Sequence, residues 1–172
     1  AALLDADCFL NSTTAPTYDQ SKHGWYNASV TNDRCIFAFY IDGSGNITEF
    51  FNDGGDMVLY ADGVTESSLT ASTTWADVTL RMPSFSTKGT VLFWGDAGGI
   101  AGTPTKFWWR TNGQSGSTGH LAAKIEDDDA EWNTMETVVM TDSTQKIEIK
   151  ANNTNSLVMR PYTQGYYFPG GM

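Results

Sequence analysis

The hydrophobic positions of the chain fall in short runs, and the clearest pair of runs lies between residues 35 and 51. Residues 35–41 are apolar, β-branched or aromatic almost without a gap, and residues 46–51 form a second run rich in strand-forming residues. Between them, Asp42-Gly43-Ser44-Gly45 favours a tight reversal, because these residues tolerate positive φ or bond their own backbone. The pattern predicts a hairpin. Its uninterrupted first run predicts a central strand that is covered on both faces.

Further runs predict strands along the rest of the chain. The firmest prediction is residues 75–82, where large apolar residues alternate with polar ones until Pro83. Residues 137–140 and 146–150 flank the turn Asp142-Ser143-Thr144, and we interpret them as a second hairpin. Residues 120–125 fit either a strand or one helical turn, and the strand is favoured. Other predicted strands are residues 57–60 (ending near Asp62-Gly63), 64–69, 90–95, 105–111, 156–160 and 165–168.

The number and spacing of these strands predict the fold class. Roughly ten short strands, with turn signals about every 8–12 residues and no clear helix, are typical of an all-β protein. We therefore expect an antiparallel β-sandwich, jelly-roll-like, with little or no helix. Residues 1–33 show little periodicity and predict an N-terminal arm that packs on a neighbouring subunit. Residues 34–172 then form a single β-sandwich domain.

Composition and charge narrow the class of partner. With 172 residues, 13% aromatic and 17% charged, the chain is suited to one packed domain and is unlike a disordered tail. Its formal net charge of −10 disfavours nucleic acid and anionic membrane surfaces as partners. No apolar run approaches the roughly 20 residues that span a bilayer, and residues 1–7 lack the basic flank of a signal peptide. Cys8 and Cys35 fit either two buried thiols or one bridge.

Two stretches of the chain form recognisable motifs. The first runs from Arg34 through its apolar strand, the turn Asp42-Gly43-Ser44-Gly45-Asn46-Ile47 and a second short strand. The second is Thr74-Trp75-Ala76-Asp77-Val78-Thr79-Leu80 with Pro83. Both resemble segments of tailed-bacteriophage virion surface proteins, chiefly tail-fibre and other appendage proteins. The resemblance implies a structural or host-recognition component of a virion, without catalytic residues and without a cofactor.

Candidate metal and catalytic residues compete with simpler interpretations. Asp42, Ser44, Asn46 and Asp53 stand at positions of a calcium loop, but Ile47 occupies the place where that loop needs glycine, so a hairpin turn is favoured. The acidic residues 126–129 suit a cation between subunits, and a solvated loop is the favoured interpretation. His23 and His120 lie outside any metal-spaced cluster. Carboxylates are numerous enough that a glycan-degrading pair stays open.

Aromatic residues are the remaining candidates for contact with a partner or a glycan: Trp25, Tyr26, Trp108, Trp109 and Trp132. Neighbouring residues of a strand point to opposite faces, so one of Trp108 and Trp109 is expected in the core and the other on the surface. Subunit packing is favoured over sugar stacking, because large aromatic side chains dominate interface energetics.

These observations predict a non-enzymatic structural subunit of a phage virion surface: a tail fibre, a spike or a decoration protein. Its expected partners are copies of itself, as a homotrimer, and other virion proteins, with a host surface glycan as a further partner. We expect it on the surface of a virion made in the host cytoplasm. The alternatives are a secreted carbohydrate-binding module and a glycan-degrading enzyme.

Overall fold

The computed structural model describes residues 14–27, 33–96, 104–125, 132–154 and 157–169. Within these ranges, only the backbone of Asp96 and Trp132 is described. These residues contain twelve strands and no helix. The strands are β1 (Thr17–Asp19), β2 (Gly24–Tyr26), β3 (Phe50–Phe51), β4 (Met57–Thr65), β5 (Leu69–Thr70), β6 (Ala76–Thr79), β7 (Lys88–Asp96), β8 (Thr105–Thr111), β9 (His120–Ile125), β10 (Trp132–Met140), β11 (Lys146–Ala151) and β12 (Val158–Tyr167). Across the same residues, no helix is long and apolar enough to cross a bilayer.

The chain divides into two compact units, the first reaching Ala38 and the second beginning at Phe39. In the first unit, β1 and β2 form an antiparallel hairpin in which Tyr18 lies opposite Trp25. Part of the predicted arm is therefore a regular hairpin. Its turn is stabilised by the Asp19 carboxylate, which accepts hydrogen bonds from the Ser21 amide and hydroxyl at 2.9 and 2.6 Å. The packing of this arm on a neighbouring subunit stays a prediction.

The second unit consists of two antiparallel sheets. The larger has six strands in the order β10-β7-β12-β4-β3, with β5 paired to β12, and the smaller has the order β6-β11-β8-β9. All-β folding as an antiparallel β-sandwich, with little or no helix, is confirmed.

Alternation along the strands builds the core between the sheets. On β11, Ile147 and Ile149 are 0% and 2% exposed, whereas the charged residues that alternate with them, Lys146, Glu148 and Lys150, are partly exposed. On β7, Val91 and Phe93 are both fully buried. Complete burial of such a side chain contributes about 1.5–3 kcal/mol to folding, so the alternating strands determine which face of each sheet turns inward.

A glycine sets the path of β12 against β4. The register of β12 shifts between Thr163 and Gly165, and Gly165 lies opposite Leu59 of β4. A Cβ at Gly165 would overlap the carbonyl oxygen of Val58. The two backbones therefore approach more closely here than any residue with a side chain allows.

The hairpin predicted at residues 34–51 is half right. The reversal is present: Ile41 and Ile47 form an antiparallel bridge, and the Asp42 N–H donates to the Asn46 carbonyl at 2.9 Å. The prediction of a buried central strand is wrong, because residues 35–40 are outside the named strands and Ile36 is 60% exposed. Within the part of the chain that the structure describes, the apolar run is only partly covered, since Ile36, Phe39 and Ile41 are 60%, 37% and 46% exposed.

The second predicted hairpin is also wrong. β10 pairs with β7 in the larger sheet, whereas β11 pairs with β6 and β8 in the smaller one. The turn at Asp142 therefore carries the chain from one sheet to the other. The strand interpretation of residues 120–125 is confirmed as β9, and β4 continues through Asp62-Gly63 to Thr65 where the sequence predicted an end.

Candidate functional site

The outward face of the larger sheet is the candidate functional surface. On β10, Val139 is fully buried, while its neighbours Val138 and Met140 are 42% and 50% exposed. On β7, Trp94 is 37% exposed beside the buried Phe93. Strand alternation that buries one set of side chains in the core thus presents a second, largely apolar set on the opposite face.

The strand register aligns the most apolar of these outward residues into a band across the sheet. Val138 lies opposite Thr90, Thr90 opposite Gly165, and Gly165 opposite Leu59, which lies opposite Phe51. Met57 lies opposite Tyr167 in the next row. The apolar band consists of Phe51, Met57, Leu59, Val138, Met140 and Tyr167. Phe51, Met140, Val138 and Leu59 are 63%, 50%, 42% and 38% exposed, so the most exposed members of the band lie on β3, β4 and β10, whereas Thr90, between them on β7, is 5% exposed.

A second, more polar patch occupies the other end of the same face. Trp94 and Tyr162 stack with their ring centroids 6.1 Å apart and their planes at 25°. Arg160 lies directly opposite Trp94, with its guanidinium carbon 5.9 Å from the Trp94 ring centroid. This patch combines aromatic faces with a cation, an arrangement suited to stacking contacts.

Charge on this face differs from charge on the whole chain. Among the described outward side chains of β10, β7 and β12, the ionised groups are Lys88, Glu136 and Arg160, which sum to +1. The complete chain carries 20 acidic and 10 basic residues. The described part of this face is therefore close to neutral, while Asp96, at the end of β7, has a side chain outside the described part of the chain.

The outward face of the smaller sheet has a different character, because several of its charges are paired within the chain. Arg110 donates from Nε to Glu148 Oε2 at 2.7 Å, and both side chains are largely buried. The guanidinium carbon of Arg110 and the Lys150 ammonium lie 4.2 and 4.6 Å from the Trp75 ring centroid. Lys150 also donates to the Ser117 carbonyl at 2.6 Å, which holds the loop at residues 112–119 to the sheet.

The five aromatic residues singled out from the sequence do not form one cluster among the described contacts. Trp25 and Tyr26 belong to the β1–β2 unit, where Trp25 meets the edge of Tyr18 at 5.6 Å and the Lys22 ammonium lies 4.8 Å from the Tyr26 ring. Trp132 opens β10, and its side chain lies outside the described part of the chain.

The expectation for the adjacent tryptophans agrees with the structure. Trp109 is 6% exposed, belongs to the core and stacks on His120 with centroids 4.7 Å apart. Trp108 lies on the opposite face of β8, where it is partly exposed and pairs across the sheet with Leu121 and Lys150. Whether Trp108 contacts a partner stays a prediction.

The carboxylate of Asp42 stabilises a turn of the backbone, in place of the calcium site considered from the sequence. The carboxylate accepts hydrogen bonds from the Ser44 and Asn46 amides, each at 2.8 Å. The Asn46 amide is the largest cause that holds the pKa of Asp42 below its usual range. Within the described ranges no group of three or more His, Cys, Asp or Glu residues is placed to hold a metal ion. The acidic run at 126–129 and Cys8 fall outside those ranges, and Cys35 has a free thiol whose pKa is raised by burial.

One buried carboxylate, that of Glu66, could not be predicted from the sequence. The side chain of Glu66 is 2% exposed and accepts hydrogen bonds from the Thr163 hydroxyl at 2.6 Å and the Arg81 amide at 2.8 Å. Burial raises the pKa of Glu66, against the lowering effect of these two donors. A lone glutamate in the polar sequence Thr65-Glu66-Ser67 carries no local signal of burial, because its partners come from distant strands.

Comparison with known proteins identifies no family and no relative of this chain among the family models and curated proteins searched. The sequence matches no protein-family model. A search of curated proteins also gives no match.

Proposed function

We propose that the protein is a non-enzymatic structural component of a bacteriophage virion surface: a tail-fibre, spike or decoration subunit. The observation that carries the proposal is the exposed apolar band on the larger sheet, where Phe51 is 63% and Met140 50% exposed. Soluble monomers rarely expose apolar patches larger than a few hundred Å², and larger patches mark contact sites. Apolar side chains exposed on both sides of one sheet face suit a protein that works by packing against other proteins.

The sequence resemblance at residues 34–60 and 74–83 supplies the class of assembly. Both stretches belong to the second unit or lead into it, and they include β3, the first four residues of β4, and β6. The virion assignment rests on this resemblance. The packing role rests on the exposed face.

In this role the chain associates with copies of itself and with other virion proteins. The homotrimer expected from the sequence belongs to the proposal, as does a contribution to recognition of the host surface. A rigid β-sandwich suits both tasks, because sheet surfaces hold their contact residues in fixed positions.

Immunogold electron microscopy tests the proposed function. Antibodies against the purified chain should label intact phage particles released by the bacterium in which the sequence is expressed. Label at the tail tip, on fibres or on the capsid would also give the location. Particles that carry no label, and whose digests lack peptides of this chain, would overturn the proposal.

Glycan binding is a second candidate, favoured by the Trp94–Tyr162 stack. Exposed aromatic rings beside polar groups are suited to sugar rings. A glycan array with wild type, Trp94→Ala and Trp108→Ala separates the surfaces. Binding that is lost only in Trp94→Ala supports this candidate, and an array without any signal removes it.

A further inference from the structure

We infer that the outward face of the smaller sheet binds an acidic glycan, a chain of sugar rings that bear carboxylates, at a site centred on Trp108 of β8. The inference rests on the host-recognition part of the proposed function and deepens it by naming the surface and the chemical class of the glycan. The Trp94–Tyr162 stack belongs to the larger sheet and is a different surface. The site is the Trp108 patch, which consists of Trp108, Leu121, Lys106, Lys124 and Lys150.

The outward face of the smaller sheet is positively charged, although the chain as a whole is acidic. The complete chain has ten basic residues and a net charge of −10. Among the described outward side chains of β6, β11, β8 and β9, five cations face two carboxylates, which sum to +3. Half of the basic residues of the chain therefore lie on one face of a four-stranded sheet. The cations are Lys106, Arg110, Lys124, Lys146 and Lys150, and the carboxylates are Asp77 and Glu148.

The ion pairs of this face leave the positive excess around Trp108. Arg110 Nε donates to Glu148 Oε2 at 2.7 Å, and the Lys146 ammonium donates to Asp77 Oδ2 at 3.1 Å. Both carboxylates of the face are thus engaged by these two cations. The other three cations of the face are the lysines of the Trp108 patch, so the sum of +3 is concentrated there.

Strand register groups these lysines about the indole of Trp108. Lys106 precedes Trp108 by two residues on β8, so the two side chains share a face and lie about 7 Å apart along the strand. Lys150 of β11 and Leu121 of β9 lie directly opposite Trp108 on its two sides. Lys124 lies opposite Lys106. The indole therefore has ammonium groups next to it along and across the sheet, and an apolar neighbour on the remaining side.

The patch is accessible and partly preformed. Lys106 is exposed, Trp108 is partly exposed, and Leu121 is 43% exposed. The Lys150 ammonium donates to the Ser117 carbonyl at 2.6 Å and lies 4.6 Å from the Trp75 ring centroid. Both of these partners are neutral, so they hold the ammonium in place and preserve its net charge. A side chain that is already held loses less rotamer freedom when a ligand binds.

The chemistry of the patch selects an acidic glycan among anionic ligands. An aromatic ring beside a few polar groups suits a sugar ring, and ammonium groups attract carboxylates. Nucleic acids are recognised chiefly through arginine, and Arg110 of this face already pairs with Glu148. A long nucleic acid would also extend from the patch over a chain whose net charge is −10.

Fluorescence anisotropy with labelled acidic tetrasaccharides tests the site on the full chain. The probes are tetramers of galacturonate, tetramers of mannuronate and hyaluronan tetrasaccharides, each compared with its methyl ester as the uncharged match. We expect at least one acid to bind, and its methyl ester to bind at least about tenfold more weakly. Binding of the acid should also weaken between about 0.1 and 1 M salt, because the screening length falls from about 10 to 3 Å.

Substitutions locate the binding on the sheet. Trp108→Ala should weaken binding at least about fivefold, and Lys106→Gln and Lys150→Gln about two- to fivefold each. Lys146→Gln is the matched control, because Lys146 lies on the same face about 13 Å from Lys150 along β11. It should bind within about twofold of wild type, since that distance exceeds the screening length at 0.1 M salt, about 10 Å. Circular dichroism verifies folding, and the exposed position of Lys106 keeps the test available if Trp108→Ala fails to fold.

The site is overturned if none of the three acids binds at millimolar concentration, or if the methyl esters bind as tightly as the acids. Lysine variants of the patch that bind no more weakly than Lys146→Gln also remove it. Tighter binding of a tetraglutamate peptide or of a ten-nucleotide single-stranded DNA, lost in the same variants, would overturn the glycan as the ligand. Labelled particles without glycan binding would leave the proposed function standing and remove this site. Glycan binding at the patch with unlabelled particles would do the opposite.

Discussion

The Thr163 hydroxyl donates to Oε1 of Glu66 at 2.6 Å, and both residues are buried. The same oxygen accepts the Arg81 amide at 2.8 Å, while Arg81 Nε lies 3.6 Å from the other carboxylate oxygen. Thr163 belongs to the larger sheet, and Arg81 follows β6 of the smaller one. One buried carboxylate therefore joins the two layers of the sandwich.

Glu66→Gln should change how stability depends on pH. Burial raises the pKa of Glu66, so the folded protein holds its proton to higher pH than the unfolded chain does. The contribution of Glu66 to stability is therefore greatest below the unfolded pKa, about 4.3, and falls as pH rises through the raised folded pKa. Urea unfolding of wild type and variant across this range should show wild type losing stability relative to Glu66→Gln as pH rises. A difference that is constant with pH would contradict the assignment.

Gly165→Ala should destabilise the fold, because its Cβ would overlap the Val58 carbonyl oxygen at the point where β12 and β4 approach. We expect a loss of about 1–3 kcal/mol in the free energy of unfolding, as for other overpacked sites. Gly43→Ala is the matched control, since a Cβ there meets nothing within 4 Å, and it should change stability by less than about 0.5 kcal/mol. Equal effects of the two variants in urea unfolding would refute this account of the register shift.

Arg110→Ala should destabilise the chain and release the loop at residues 112–119, because Arg110 Nη1 also donates a hydrogen bond to the Gly116 carbonyl of that loop. The side chains of Arg110 and Glu148 are only 12% and 13% exposed, so removal of the cation leaves a poorly solvated carboxylate and costs about 2–3 kcal/mol. Limited proteolysis should then cut in the loop more readily than in wild type. Lys146→Ala breaks the more exposed pair with Asp77 and should cost at most about 0.5 kcal/mol. Unchanged proteolysis of Arg110→Ala would show that the loop is held by other contacts.

Asp142→Asn should weaken the protein most above pH 4. Although desolvation opposes it, hydrogen bonds from the Lys146 amide, Asn112 and Thr144 lower the pKa of Asp142 to about 2. A depressed folded pKa stabilises the fold above the unfolded pKa, about 3.9, and that contribution disappears as pH falls through the folded value. Acid unfolding of the two proteins should therefore converge between about pH 4 and 2. Curves that remain parallel would exclude this role for the Asp142 carboxylate.

The strands that the sequence predicted correctly are those whose pattern follows from local periodicity. Lys146–Ala151 alternates charged residues with isoleucine, and Ile147 and Ile149 are buried as that alternation requires. The turn at Asp142 shows what the local sequence does not determine. Its residues specify a reversal, but whether the flanking strands pair with each other or enter different sheets depends on contacts far along the chain.

The candidate face could not be predicted for a related reason. Phe51, Leu59, Val138 and Met140 come from separate parts of the sequence and meet only through the register of several strands. For the apolar run at residues 35–41 the sequence predicted burial, whereas Ile36 and Ile41 are 60% and 46% exposed. The run of apolar residues indicates side chains that avoid water, but it does not specify which residues cover them.

A cryo-electron microscopy map of the phage particle that contains this chain tests both the virion assignment and the packing role of the larger sheet. The β-sandwich should lie at the particle surface in more than one copy, with the apolar band from β10 to β3 covered by a neighbouring chain. Particles that lack the chain, or a map in which the band faces solvent while other surfaces make the contacts, would contradict it.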